Sequence, residues 1–451
     1  MNDTDDLARV LGDIEGIDTM RRIGRVRQTI GLVIESDGPP ACVGELCEIY
    51  TDDLAAARDS RPILAEVVGF RQNHLLMMPF GETEQIRVNS EVVATGRPMQ
   101  IPVGQGMLGR VLDGLGQPMD DLGPIVATDL YPIHAAPPSA MHRKHIKETL
   151  PLGIRAIDGC ITCGKGQRLG IFAGSGVGKS TLMGMIARNT RADINVIALI
   201  GERGRELREF VDLTLGAEGL SRSVIVTATS DKSPLVRLRG AYVATAIAEY
   251  FRDQGADVLL MMDSVTRFAW AQREVGLAAG EPPTRNGYTP SVFAKLPQLM
   301  ERAGMGTSGS ITGLYTVLVD GDDLNEPVAD AARSILDGHV VLSRDLAVRN
   351  HYPPIDVLKS ISRLMSNIAA PEHRDASGKM RKLVADYEEA ADLINLGAYE
   401  HGSNPDVDAS ISARESILGF LQQAADDRAD YDETVRRLQS IAEPSAMMPT
   451  V

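Results

Sequence analysis

Residues 171–181, IFAGSGVGKST, restrict this chain more than any other segment. An apolar run leads into a glycine-dense loop, and Lys179 opens a stretch patterned as a helix. The spacing G-x-x-x-x-G-K-[ST] is met, except that Ala173 stands where the first glycine is usual. Gly174, Gly176 and Gly178, with Ser175 and Val177 between them, let backbone N–H groups close around phosphate oxygens. The helix start adds the positive end of its dipole. Lys179 supplies charge to the β- and γ-phosphates, and the Ser180 hydroxyl, followed by Thr181, can ligate Mg²⁺. Such a loop works only between a strand and a helix, so the chain must contain an α/β nucleotide-binding domain. Alanine at 173 is expected to be tolerated unless that position needs a positive φ.

The surrounding pattern agrees. Apolar runs at 169–172, 196–200, 224–227, 258–262 and 314–319 alternate with helical stretches. That alternation predicts a mostly parallel, helix-covered sheet. Asp263 ends the run 258–262, where a carboxylate behind a phosphate loop can hold the Mg²⁺ shell, the Walker B role. Residues 201–206, GERGRE, follow the run 196–200. Glu202 therefore sits at the carboxyl end of a strand, where open α/β sheets bind ligands, and can orient and polarise an attacking water. Arg205 and Glu206 read as members of a salt-bridged surface loop.

The flanks differ from this core. Short apolar runs at 30–34, 46–50, 63–68 and 75–78, broken by Gly, Asp and Pro, predict a small β-barrel. Residues 104–121 are glycine-dense without periodicity and read as a turn region, not a second phosphate loop. A proline-bearing linker follows through 132–138. After 365 the chain turns helical. Leu383, Tyr387, Ala390 and Ile394 share one helix face, and a second helix pair is expected after Ser412. At the N-terminus, Leu7, Val10, Leu11, Ile14 and Ile17 recur at helical spacing. A frayed end and a partner-binding helix both satisfy that pattern. The expected division is 1–20 partner-binding helix, 21–95 barrel, 96–364 ATPase core and 365–451 helical domain.

Composition excludes some functions. The 451 residues carry a net charge of −15, which suits neither a nucleic-acid coat nor an RNA-binding surface. The basic run at 142–147 reads as a solvated linker. No apolar run approaches the roughly 20 residues of a membrane span, and no apolar signal core follows residues 1–6, so a cytoplasmic location is expected. Cys160 and Cys163 form a C-x-x-C pair, but zinc would want a second close pair. Cys42 and Cys47, five apart on an expected strand, would point to opposite faces. Reduced thiols are the expectation.

Taken together, GERGRE, AGSGVGKST and residues 261–274, MMDSVTRFAWAQRE, resemble the hexameric RecA-like family of rotary ATP synthase subunits and of flagellar and type III export ATPases. Residues 353–362, PPIDVLKSIS, match that family's signature decapeptide, and the likeness covers nearly the whole chain. Three stretches point to the export branch: TCGKGQRLGIFAGSGVGKST at 162–181, ATSDKSPLVRLRGAYVATAIAEYFRDQG at 228–255 and GYTPSVFAKLPQLMERAG at 287–304. The synthase's acidic rotor-contacting run has no counterpart in 398–411.

The resemblance implies a RecA-like P-loop core with a parallel sheet, preceded by a small barrel and followed by a helical domain. It makes Glu202 the catalytic glutamate, and it places Arg203 and Arg267 near the phosphates of their own subunit. Arg363 matches the arginine finger supplied by a neighbour, and Tyr352 the aromatic that stacks on adenine. Phe420 is a second candidate adenine contact. From the residues alone, Arg363 and Tyr352 equally fit packing or surface positions. The implied function is Mg²⁺-dependent ATP hydrolysis by a homohexamer that unloads and unfolds chaperone-bound substrates for a membrane export gate. A regulatory stalk protein would bind the N-terminus, and nucleic acid would have no part. The implied place is the cytoplasm, peripheral to the inner membrane. GSGVGKST resembles flagellar members rather than injectisome members, the alternative setting. A rotary synthase catalytic subunit, a nucleic-acid translocase and a non-catalytic ring subunit are the other readings; the combination of Lys179, Glu202, Asp263 and Arg363 counts against the last.

Overall fold

The computed structural model describes residues 22–51, 62–139, 141, 143–319 and 323–442. The expected helix at 1–20 lies outside the described residues.

One compact unit is formed by the described residues up to Met99 together with Val275–Glu281. Six antiparallel strands close into a barrel: β1 Ile23–Ile30, β2 Val33–Asp37, β3 Glu45–Tyr50, β4 Ile63–Arg71, β5 His74–Pro79 and β6 Glu91–Pro98. Their order is β1-β2-β5-β4-β3-β6, and β6 pairs back onto β1. Period-2 alternation turns Val26, Ile34, Cys47, Ile49, Ala65, Val67, Leu75, Met77 and Val92 inward as one core. The apolar run 30–34 is not a strand. Gly31 adopts φ +58° and the chain reverses there, leaving Ile30 and Leu32 exposed at a hairpin tip. Cys42 is also misplaced by the strand reading, because it lies exposed ahead of β3 while Cys47 is buried within it.

The described residues within Gln100–Glu274 and Pro282–Val451 form the second unit. Its strands are β7 Gln100–Val103, β8 Val111–Asp113, β9 Asp129–Pro132, β10 Arg168–Ala173, β11 Ile194–Ile200, β12 Ser223–Ala228, β13 Asp257–Asp263, β14 Gly304–Met305, β15 Ser310–Leu318, β16 Gly338–Leu342 and β17 Ile355–Ser362. The main sheet runs β17-β16-β10-β15-β13-β11-β12-β8, with β14 antiparallel on β15. It is parallel from β16 to β8, and the decapeptide strand β17 joins antiparallel at the edge. Every residue of β11 and β12 is buried, which is why these strands read as continuous apolar runs rather than alternating ones. The glycine-dense segment 104–121 is more than turns: β8 pairs in parallel with β12. Three residues between glycines are too few for a periodic signal.

Helix Pro234–Asp253 covers β11, β12 and β13. Ser233 Oγ accepts from Val236 N at 3.4 Å and Pro234 occupies the first turn, so its start is fixed locally. Helices Pro371–Asn395, Pro405–Leu421 and Tyr431–Ala442 form the C-terminal part. The second begins at Pro405, capped by the Asn404 side chain, rather than after Ser412. Met380, Val384, Ile417, Phe420 and Leu438 share one core with Leu169, Ile171 and Leu342 of the sheet. Within the basic run, Arg143 is not solvated. It donates to the carbonyls of Glu301 and Ala303, the latter at 3.2 Å, at the end of helix Pro290–Met300. Among the described residues no helix is long and apolar enough to cross a membrane.

Candidate functional site

Parallel pairing brings the carboxyl ends of β10, β15, β13 and β11 side by side. The segments that follow them line a cleft of about 510 Å³, whose walls include Gly174, Lys179, Glu202, Arg267, Trp270 and Glu326. Ala173 is the last residue of β10, paired with Leu318 and Leu342. That extended conformation accepts alanine as readily as glycine. The positive φ values fall further on, at Gly176 (+78°) and Gly178 (+96°). Gly178 precedes helix Lys179–Asn189, and no side chain caps that helix. Its first amides therefore lack internal acceptors and face the cleft beside exposed Ser180 and Thr181.

Lys179 Nζ contacts Asp263 Oδ1 and lies 3.7 Å from Glu202 Oε1. Thr316 Oγ1, on the neighbouring β15, also donates to Asp263 Oδ1, at 2.7 Å. Asp263 is thus buried with its Oδ1 atom doubly satisfied. Burial pushes the Glu202 carboxyl up to about 7, and the nearby Asp263 charge adds to this while Lys179 opposes it. Such a group gains or loses its proton near neutral pH.

Arg267 lies across Gly201, whose φ is +73° and whose missing Cβ would sit 3.0 Å from Arg267 Cβ. Its guanidinium stacks over the Trp270 ring at 4.8 Å. Arg203 lines the cleft but is exposed, 3.8 Å from Glu206, and Arg205 pairs with Glu209 at 3.0 Å. Tyr352 reaches the phosphate loop: a Cβ on Gly178 would meet its ring at 3.7 Å. Phe420 does not reach it. Its side chain is fully buried, and a Cβ on Gly159 would lie 2.8 Å from its ring, so it is a core residue rather than an adenine contact. Arg363 is exposed beyond the end of β17, donating to the Arg333 carbonyl at 3.5 Å, and does not line this cleft.

Sequence reasoning missed four contributors. Trp270 was the most accessible, being three residues from Arg267 on one face of helix Val265–Ala279. Thr316 is brought to Asp263 by the β13–β15 register. Tyr288 and Glu326 arrive from distant segments: Trp270 Nε1 donates to Tyr288 Oη at 3.1 Å, which donates to Glu326 Oε1 at 2.9 Å. The C-x-x-C thiols lie far from any such role. Both are free and buried, and burial pushes the Cys160 thiol up to about 12.

A parallel sheet, an uncapped helix behind a positive-φ glycine loop, and a lysine shared by two carboxylates define a P-loop nucleoside-triphosphate-binding protein. Comparison with known proteins narrows the class. The ATP synthase alpha/beta family nucleotide-binding domain matches residues 153–362, and its beta-barrel domain matches 26–96. The T3SS EscN ATPase C-terminal domain matches 369–440. The "Flagellum-specific ATP synthase" of Bacillus subtilis (strain 168) is 54% identical, over 95% of this chain and 97% of that protein. The "Type 3 secretion system ATPase" of Xanthomonas euvesicatoria is 52% identical, over 94% and 95%. The solved structure of the assembled ATPase EscN in complex with its central stalk EscO, from the enteropathogenic E. coli type III secretion system, superposes with a TM-score of 0.85 at 44% identity. It covers 93% of this chain and all of that one. The chain belongs to the ATP synthase alpha/beta family, in its branch of flagellar and type III secretion ATPases.

Proposed function

We propose that this chain is the ATPase of a flagellar type III protein export apparatus, hydrolysing ATP to unload and unfold chaperone-bound export substrates. The observation that carries the chemistry is Lys179 held between Asp263 and Glu202 at the start of an uncapped helix. In the proposed reaction the Lys179 ammonium turns from the carboxylates to β- and γ-phosphate oxygens, and the amides of 174–181 hold the phosphate chain. Water oxygen bonds to the γ-phosphorus as the bond from phosphorus to the β–γ bridging oxygen breaks, giving ADP and phosphate. Glu202 orients that water and accepts its proton, a task suited to a carboxyl poised near neutral pH. Arg267 and Arg203 meet charge growing on the γ-phosphoryl oxygens, and Tyr352 stacks on the base.

Mg²⁺ fits these residues. The donors are oxygens, the exposed Ser180 hydroxyl and the Asp263 carboxylate, and Mg²⁺ typically takes one or two protein oxygens plus water and substrate phosphate. Bound there, it neutralises phosphate charge.

Arg363 stands away from its own cleft, which supports a role as the finger offered to a neighbouring subunit. The ring so required is read as a homohexamer. By analogy with the EscN–EscO complex, a stalk protein is the proposed regulatory partner, at the N-terminus, with export chaperones, their substrates and a membrane export gate as the others. The proposed place is the cytoplasmic side of the inner membrane. Relatives of both settings match at similar identity, and the GSGVGKST loop favours the flagellar one. Replacing Lys179 with Ala in the native organism decides this. Loss of flagellar filaments is expected; intact filaments with loss of another secreted set would move the protein to an injectisome.

A further inference from the structure

Arg267 has an unusual environment for a cation beside phosphates. Its Nε is buried without a hydrogen bond, and its stem lies on bare glycine backbone at Gly201. What faces its guanidinium is the Trp270 ring, at 4.8 Å. That ring is itself fixed at its far edge, where Nε1 donates to Tyr288 Oη at 3.1 Å and Tyr288 Oη donates to Glu326 Oε1 at 2.9 Å. Tyr288 is buried, and Arg273 stacks on its ring at 5.4 Å. Glu326 precedes helix Pro327–Ile335 and closes the same cleft. Trp270 is the single tryptophan of the chain.

We propose that Trp270 is a positioning residue for ATP hydrolysis. Its indole, anchored through Tyr288 to Glu326, holds the Arg267 guanidinium over the γ-phosphate side of the cleft. The inference rests on the reading of this cleft as the hydrolytic site. The physical case is one of preorganisation. A stacked guanidinium keeps its N–H donors free while its plane is set, whereas a salt bridge would occupy those donors. An arginine fixed before charge develops needs no reorganisation in the transition state. The indole N–H bond matters because a ring free to rotate would not fix a plane.

The test uses the full-length protein, with steady-state phosphate release and binding of a fluorescent ADP analogue. Trp270→Ala is expected to lower kcat about tenfold, the scale of one desolvated cation–π contact, with KM and analogue affinity within about twofold. Trp270→Phe, which keeps an aromatic face but loses the indole N–H that anchors it to Tyr288, should recover only part of the rate. The double variant with Arg267→Ala should be no slower than Arg267→Ala alone, because Trp270 acts through that arginine. Wild-type kcat in Trp270→Ala, or multiplicative losses in the double variant, would overturn the proposal. If Trp270→Ala fails to fold, Tyr288→Phe decides: a lower kcat at unchanged KM supports the anchor, and unchanged kcat contradicts it. Lys179→Ala, run alongside, separates the two levels. If it hydrolyses ATP at the wild-type rate, the reading of the cleft has failed rather than the role of Trp270.

Discussion

Thr316 Oγ1 donates to Asp263 Oδ1 at 2.7 Å, on the same oxygen that receives Lys179 Nζ. The hydroxyl thus holds one carboxylate oxygen from the adjacent strand, independently of the lysine. Thr316→Val is nearly isosteric and removes that bond together with the longer one, 3.3 Å, to the Met262 carbonyl. It should lower kcat about tenfold and raise the Mg²⁺ concentration for half-maximal rate, as loss of supporting hydrogen bonds does at metal sites. A Mg²⁺ titration of phosphate release checks both; an unchanged titration would make the Thr316 bond structural only.

Glu202 must be ionised to accept a proton, and burial has pushed its carboxyl up to about 7. Below pH 7 the group holds its proton and the rate should fall; above it the rate should reach a plateau. Glu202→Gln should reduce kcat at least about 100-fold with nucleotide affinity retained. The same shift has a stability sign. Because the folded state binds this proton more tightly than the unfolded chain, the contribution is complete below the ordinary glutamate range and lost as pH rises through about 7. Nucleotide-free wild type should therefore lose more thermal stability than Glu202→Gln between pH 6 and pH 8.

Phe420 fills the contact between the C-terminal helices and helix Arg155–Cys160, with Gly159 against its ring. Phe420→Ala should cost about 3–5 kcal/mol of stability, the range for buried aromatic truncations. Chemical denaturation measures it. The folded fraction should bind ADP as wild type does, whereas a residue stacked on adenine would weaken binding without that loss.

In the proposed ring, Arg363 and Lys179 of one subunit serve different clefts. Arg363→Ala should bind nucleotide normally and hydrolyse it slowly. Mixing it with Lys179→Ala should restore activity, because a mixed ring contains interfaces where an intact Lys179 meets an intact Arg363. No recovery in rings shown to contain both variants would contradict action across subunits.

Much of this was legible in the sequence. Lys179, Glu202 and Asp263 each end or follow a long apolar run, and a parallel sheet necessarily brings such positions to one edge. What escaped was set by register and tertiary contact. Thr316 lies inside a strand, where nothing local distinguishes it from its neighbours. Tyr288 and Glu326 meet Trp270 through segments whose spacing carries no periodic signal. The apolar run at 30–34 misled because one glycine outweighs four apolar residues when it supplies a positive φ. Phe420 was drawn toward the adenine by family likeness, whereas its burial follows from packing on Gly159.

The most direct measurement is phosphate release by purified full-length protein at saturating MgATP, for wild type beside Lys179→Ala. Wild type should turn over, and the variant should lose at least about 100-fold in rate with its melting temperature preserved. Equal turnover by the two proteins would mean that the cleft built around Lys179, Glu202 and Asp263 is not where ATP is hydrolysed.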